Sequence, residues 1–211
     1  MSRHLHRLLL IACLMTVATT AAAAPSRPNL SYFDRLALAN WKQVMRVDRS
    51  AHYWQPTGML LISARPAEVM SAFMDFERYS SFMPKVQSCR VVRRRGPYEV
   101  WALVVTHLPW PVANAWVAVK YTWAQSPDGA YHLSWTRHRG SMDRYWGSLS
   151  LLPWGDKATL AVCTMQAVPD IHISRSKLNG GIVWGTEQLL HHLRAEVDRR
   201  RVRGRLKPYK P

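Results

Sequence analysis

The stretch 86–167 constrains the fold most, because it alternates β-rich segments with short breaks of turn-forming residues. The β-rich segments span 86–94, 98–107, 113–125, 130–137, 144–152 and 158–167. Breaks such as Arg-Gly-Pro at 95–97 and Pro-Asp-Gly at 127–129 are typical of tight turns. Connections this short cannot make a parallel crossover, so neighbouring strands must be antiparallel. The pattern predicts a six-stranded antiparallel meander.

One strand and two helical segments are predicted before the meander. A short apolar strand at 58–62, extendable back to His52, leads to a helix whose first turn suits Pro66. A second helical segment covers 75–82 and is stopped by Pro84. The first helix presents one apolar face, made of Val69, Met70, Phe73 and Met74. The strand at 58–62 adds a seventh strand to the predicted sheet.

Two further helices are predicted at the ends of the chain. Ser31 is a helix N-cap with Asp34 three residues on, and apolar spacing extends that helix over 31–46, packed onto the domain. The C-terminal helix carries an apolar stripe from Leu178 to Val197, and two adjacent glycines weaken its start, so its regular part begins near Ile182.

The first 23 residues have the three parts of a secretory signal peptide: a basic start, an apolar run and a small-residue cleavage zone. We place the cut after Ala23, which predicts a mature chain in the periplasm or outside the cell. Two alternatives stay open, namely lipidation at Cys13 and an uncleaved anchor over 8–24. No later segment is apolar enough to span a bilayer, so a soluble mature protein is expected.

The charge is strongly positive, with 29 Lys and Arg against 13 Asp and Glu, a formal +16. Removal of 1–23 takes away two arginines and leaves +14. An exported protein meets little nucleic acid, so an anionic membrane surface is the favoured counter-charge. The hydrophobic fraction of 48% excludes a disordered basic tail, and three cysteines are too few for a disulfide framework. The basic clusters predicted to meet such a surface are Arg93, Arg94, Arg95, Arg199, Arg200 and Arg201.

The order of strand, two short helices, six antiparallel strands and a long helix resembles the START-like superfamily of polyketide cyclases, coenzyme Q-binding proteins and lipid-transfer domains. The resemblance runs from about Gly58 to Arg201, and its motifs are segments 62–69 (Ile-Ser-Ala-Arg-Pro-Ala-Glu-Val), 75–84 (Asp-Phe-Glu-Arg-Tyr-Ser-Ser-Phe-Met-Pro) and 147–153 (Gly-Ser-Leu-Ser-Leu-Leu-Pro). Leu-Pro-Trp-Pro at 108–111 is similar to a turn of the lipid-transfer members, but the Arg-Asp pair that tends to follow it there is missing here.

The resemblance implies an α+β helix-grip fold, in which a curved seven-stranded antiparallel sheet wraps the C-terminal helix and leaves an apolar tunnel. Together with the signal peptide and the basic C-terminus, it predicts four parts of the chain: the signal peptide at 1–23, an extension with a helix at 24–51, the ligand-binding domain at 52–202 and a basic tail at 203–211. Methionines and aromatic residues suit such a tunnel, because they adapt to varied ligands. The predicted lining residues are Met70, Met74, Trp101, Leu103, Tyr121, Trp123, Trp135, Leu149, Leu151, Ile182 and Leu189.

Binding or carriage of a hydrophobic small molecule or lipid, such as a quinone, is the leading functional hypothesis, with the protein a monomer and no cofactor or metal. The sequence has no nucleophile elbow, phosphate loop or zinc-binding motif. An enzyme of the cyclase or hydrolase type is the first alternative, and its candidates for acid–base work are His107, His132, His138, Asp143 and Tyr145. The second alternative is an envelope scaffold protein that acts through the basic tail. The usual strand order of the family separates Cys89 from Cys163, which argues against a disulfide between them.

Overall fold

Eight antiparallel strands form one sheet in the computed structural model, which describes residues 27–108 and 114–210. The predicted signal peptide, the alternatives at its Cys13 and 8–24, and the turn at 109–111 lie outside the described residues. Along the sheet the order is β1-β2-β8-β7-β6-β5-β4-β3. The strands are β1 (Val44–Asp48), β2 (Gln55–Ile62), β3 (Val86–Arg94), β4 (Glu99–Thr106), β5 (Ala115–Gln125), β6 (Tyr131–Gly140), β7 (Met142–Trp154) and β8 (Ala158–Pro169).

The predicted meander is confirmed, because β3 to β8 pair as consecutive antiparallel neighbours. Strand β2 pairs with β8 and so places the start of the domain next to its last strand. The sheet has eight strands rather than seven, because β1 adds itself to the outside of β2. Cys89 lies on the edge strand β3 and Cys163 on β8, both buried, and the strands β4 to β7 lie between them.

The N-terminal helix is shorter than predicted. The α-helix α1 (Tyr32–Ala39) begins with the expected capping box, in which the Ser31 amide donates to Asp34 Oδ2 at 2.8 Å. It does not run on to 46, because Trp41 takes a left-handed φ of +57° and turns the chain into strand β1. Val44 and Met45, whose spacing also fits the predicted helix, therefore lie in an edge strand.

Four helical elements follow β2 and β8. They are α2 (Pro66–Phe73), a 3₁₀ turn (Phe76–Arg78), α3 (Tyr79–Phe82) and the long α4 (Arg175–Val202). Helix α4 starts at Arg175 rather than near 182, so the adjacent glycines at 180 and 181 lie within it. Among the described residues, no helix is both long and apolar enough to cross a membrane.

Helix α4 packs across the sheet chiefly against β2 and β8. Its buried side chains follow helical spacing and are Asn179, Ile182, Thr186, Leu190, Leu193, Glu196, Val197 and Arg200. Gly58 on β2 allows the close approach, because a Cβ there would stand 2.9 Å from Leu190 Cδ1. The helix and the concave face of the sheet thus enclose the main hydrophobic core.

Buried charges fasten the C-terminal half of α4 to the segment after α2. The Glu196 carboxylate is 0% exposed and accepts from Arg200 Nε at 2.8 Å and from Arg199 Nη1 at 2.6 Å. Arg200 Nη2 in turn donates to Asp75 at 2.7 Å, and Arg78 lies 3.6 Å from Glu196. Two charged residues of the 75–84 motif therefore hold the helix that closes the domain.

Candidate functional site

Most of the predicted lining residues lie together on the concave side of the sheet. Side chains from α2 and from β5, β6 and β7 share the main core, namely Met70, Met74, Tyr121, Trp123, Trp135, Leu149 and Leu151. Leu189 of α4 is half-buried and packs against that core. Ile182, near the start of α4, is buried but lies outside this cluster.

Two predicted lining residues of β4 lie on the opposite face of the sheet. Val100, Ala102 and Val104 point into the core, so Trp101 and Leu103, which alternate with them, face outwards. The Trp101 ring packs edge-on against His138, and its Nε1 donates to Glu99 Oε1 at 2.9 Å. The inward assignment of these two residues was a wrong choice of strand parity, because β4 is apolar on both faces.

Aromatic rings fill the space between the sheet and the helices. The Phe76 ring centroid lies 4.8 Å from that of Tyr121, which is 6.2 Å from Trp135, and Trp135 is 6.1 Å from Phe73. Trp135 lies directly over its partner in the β6–β7 ladder, Gly147, where a Cβ would fall 2.2 Å from its Cζ2. This glycine of the 147–153 motif makes room for the indole.

Two indole N–H groups in this interior have no hydrogen-bond partner. Trp135 is 3% and Trp123 is 6% exposed, and the Nε1 atom of each is buried without an acceptor among the described residues. By contrast, Trp101 donates to Glu99 and Trp146 Nε1 donates to Gln166 Oε1 at 3.0 Å. A buried donor without an acceptor costs about 1–3 kcal/mol, so both indoles favour any acceptor that reaches them.

The phenols and thiols of the main core stay neutral at physiological pH. Burial raises the pKa of Tyr145, of Cys89 and of Cys163 to about 12 in each case. Burial likewise raises the pKa values of Tyr79 and Tyr121 well above that of a free phenol. The interior is therefore suited to an uncharged, largely apolar molecule.

The residues considered for acid–base catalysis do not converge. His107 is exposed beside Asn114, His132 contacts Ser150 at 3.1 Å on the outer face of β6 and β7, and His138 packs on Trp101. Asp143 is exposed, and of these candidates Tyr145 alone packs against the core. The described part of the chain also holds no cluster of three or more metal-binding side chains.

Two hollows among the described residues open at the surface and not under α4. A hollow of about 510 Å³ lies between the end of α4 and the start of α2, and one of about 440 Å³ lies beside it. The first is lined by Ser63, Ala64, Arg65, Glu68, Lys157, Arg201, Gly204 and Leu206. Between the sheet and α4, where the tunnel is expected, aromatic and aliphatic side chains pack against one another.

The predicted basic clusters differ in accessibility. Arg93, Arg94 and Arg95 are exposed at the β3–β4 turn. In the other cluster, Arg200 is 8% exposed and is bound by Glu196 and Asp75, so it has a structural role and no access to a surface. Arg199 and Arg201 are accessible, although each also contacts a carboxylate of α4.

A family profile matches the middle of this chain. Residues 62–161 match the family described as polyketide cyclase / dehydrase and lipid transport. The domain has a START-like fold. No curated protein sequence gives a significant match.

Solved structures share the START-like fold at low sequence identity. A STAR-related lipid transfer protein from Xanthomonas axonopodis has a TM-score of 0.64 and 20% identity over 74% of this chain and 93% of its own. Human STARD10 has a TM-score of 0.62 and 10% identity, covering 84% and 83%. The Zhui aromatase/cyclase from Streptomyces sp. R1128 has a TM-score of 0.50 and 12% identity, covering 74% and 96%. At these identities the likeness establishes the START-like fold alone.

Proposed function

We propose that this START-like protein is exported and binds or carries a hydrophobic ligand, a lipid or a quinone, between the sheet and α4. The observation that carries the proposal is the pair of unpartnered indole donors, Trp123 and Trp135, in an otherwise apolar and neutral interior. A molecule that satisfies them has an apolar body and an oxygen acceptor, such as an ester, ketone or quinone carbonyl.

The energetics favour such a molecule over a plain hydrocarbon. Burial of its apolar surface contributes about 25 cal/mol per Å², which supplies most of the affinity. Each hydrogen bond to a carbonyl adds about 0.5–1.5 kcal/mol and fixes the orientation of the head. Both indoles lie on the same face of neighbouring strands, since Trp123 pairs with Leu133 and Trp135 with Tyr121.

A naphthyl ketone probe with an alkyl chain tests this proposal, because its emission shifts to the red when the carbonyl accepts a hydrogen bond. The variants Trp123→Phe and Trp135→Phe keep an aromatic ring and lose the donor. Each should raise the Kd by about 2–12-fold, the equivalent of one hydrogen bond, and shift the bound emission to the blue.

The matched control is Trp101→Phe, which removes an indole donor from the outer face of the sheet. This variant should bind the probe as the wild type does. Equal affinity and emission in Trp135→Phe, Trp123→Phe and Trp101→Phe would refute the assignment of the donors. Failure of the wild-type protein to bind any ketone, ester or quinone probe would refute the ligand-binding function itself.

The proposed export has its own test. Expression of the full chain with a C-terminal tag, followed by intact mass measurement, should give a periplasmic product that begins at Ala24. A product with the mass of a diacylated Cys13 would support the lipoprotein alternative, and an uncut chain in the membrane fraction the anchor over 8–24. The cyclase or hydrolase alternative has no comparable support, because its candidate residues are scattered over the sheet.

A further inference from the structure

The C-terminal basic segment is not a free tail but a strap across one end of the interior; we call residues 203–210 the strap. Gly204 takes a left-handed φ of +63° and turns the chain back after α4. The Tyr209 amide then donates to the Ala67 carbonyl of α2 at 2.8 Å. The Leu206 and Tyr209 side chains pack against the main core.

Tyr209 covers the part of the core where Trp123 lies. Its ring centroid is 6.0 Å from that of Trp123 and 6.4 Å from that of Tyr131, on neighbouring strands β5 and β6. A ligand that enters between α2 and these strands must pass the Tyr209 ring. The strap therefore closes a route to one of the two unpartnered indoles.

Few contacts hold the strap in place. Beyond the turn that follows α4, its one backbone hydrogen bond within the described residues is that of Tyr209 to Ala67. Its other residues apart from Leu206 are exposed. A segment with two packed side chains and one such bond opens at low cost, without unfolding of the sheet.

Positive charge is concentrated where the strap lies. The strap carries Arg203, Arg205, Lys207 and Lys210 and no acid. The exposed turn that carries Arg94 borders the strap, because the rings of Tyr98 from that turn and of Tyr209 both lie against Trp123, with centroid distances of 6.3 and 6.0 Å. The 510 Å³ hollow at the start of the strap is lined by three further cationic side chains and one carboxylate. We call this set the basic pole: Arg65, Arg93, Arg94, Arg95, Lys157, Arg201, Arg203, Arg205, Lys207 and Lys210.

We propose that the basic pole docks on an anionic lipid bilayer and that docking draws the strap away from Trp123, which opens the interior for ligand transfer. The docking depends on charge alone, whereas the opening rests on the proposed ligand-binding function. Each Lys or Arg close to an anionic surface strengthens binding about fivefold. The four charges on the strap favour the lipid-bound, opened position over the closed one.

The docking is tested on the mature chain by co-sedimentation with vesicles of phosphatidylcholine, with and without phosphatidylglycerol. The variant Arg205→Gln/Lys207→Gln/Lys210→Gln should bind the anionic vesicles on the order of 100-fold more weakly than the wild type. The control Arg139→Gln/Arg175→Gln/Lys177→Gln removes the same charge from exposed positions at the opposite end of β6 and α4. This control variant should bind the anionic vesicles less than about fivefold more weakly than the wild type. Equal losses in the two variants, or equal binding to neutral vesicles, would overturn the proposal.

The opening is tested by the rate at which the naphthyl ketone probe enters the protein. In the wild type, phosphatidylglycerol vesicles should accelerate entry, whereas Tyr209→Ala should enter fast with or without them. An entry rate unchanged by Tyr209→Ala would refute the role of the strap. Vesicle binding is measured without the probe, so loss of probe binding in every variant would refute the ligand-binding function and leave the docking result standing.

Discussion

Replacement of Gly147 by alanine tests whether the interior depends on the niche that holds Trp135. The added Cβ would stand 2.2 Å from Cζ2 and 2.5 Å from Cε2 of the indole, and 2.8 Å from the Thr164 carbonyl oxygen. Carbon atoms in contact prefer separations of about 3.5–4.0 Å, so the ring must retreat by more than about 1 Å. The retreat breaks its packing on Phe73 and Tyr121.

The expected loss of stability follows from the atoms that the added Cβ would contact. Overpacking a core costs about 1–3 kcal/mol of unfolding free energy, and the upper part of that range applies because the Cβ would clash with a backbone carbonyl as well as with a ring. Trp135→Leu removes the ring and frees space for the added methyl. In the double variant Gly147→Ala/Trp135→Leu, the cost of the alanine should therefore fall by about 1–2 kcal/mol.

Urea unfolding of the wild type, the two single variants and the double variant measures this coupling. The control Gly181→Ala lies on an exposed part of α4, with no atom within 4 Å of its added Cβ. It should raise the free energy of unfolding by about 0.5–1 kcal/mol. If the losses of unfolding free energy in Gly147→Ala and Trp135→Leu add to within about 0.5 kcal/mol in the double variant, the close packing of Trp135 on Gly147 is refuted.

Two further predictions concern the charges and the thiols. Asp75→Asn should lower the free energy of unfolding by about 1–2 kcal/mol, because buried Arg200 loses a charged partner, whereas exposed Asp198→Asn should cost under about 0.5 kcal/mol; urea unfolding compares them, and equal costs would contradict the buried cluster. Burial raises the pKa of Cys89 and Cys163 from 9.0 to about 12, so the unfolded chain loses these protons first as pH rises. Stability should therefore decline between about pH 9 and 12, by up to about 1.4 kcal/mol per pH unit for each thiol. Unfolding at pH 8 and 11 measures the decline, which should be smaller in Cys89→Ala/Cys163→Ala; an unchanged slope would count against it.

The fold could be predicted from the sequence because its signals are local. Turn residues marked each break in the meander, Pro66 marked the start of α2, and the apolar stripe from Leu178 to Val197 marked α4. Strand β1 was missed because the spacing at 41–45 fits a helix as well as a strand. The left-handed turn at Trp41 decides between them, and that is a backbone state that no periodicity reveals.

Less of the candidate site than of the fold could be predicted from the sequence. On β4 both faces are apolar, so alternation could not tell whether Trp101 or Val100 points inwards. The pairing of Trp135 with Gly147 depends on the register between two strands. The sequence predicts a basic tail at 203–211, and the one signal for a packed segment there is the presence of Leu206 and Tyr209 among the basic residues.

The distribution of anchors decides which part of the domain can open. Helix α4 cannot swing away without separating the buried Glu196 carboxylate from Arg78, which lies 3.6 Å away on the segment after α2. Asp75 holds the same helix through Arg200. The strap, in contrast, is held past its turn by one backbone hydrogen bond and two side chains. Because the interior is filled with aromatic rings, the proposed ligand binding requires movement, and the strap has fewer anchors than α4. Opening should then leave α4 in place and expose Trp123 before Trp135.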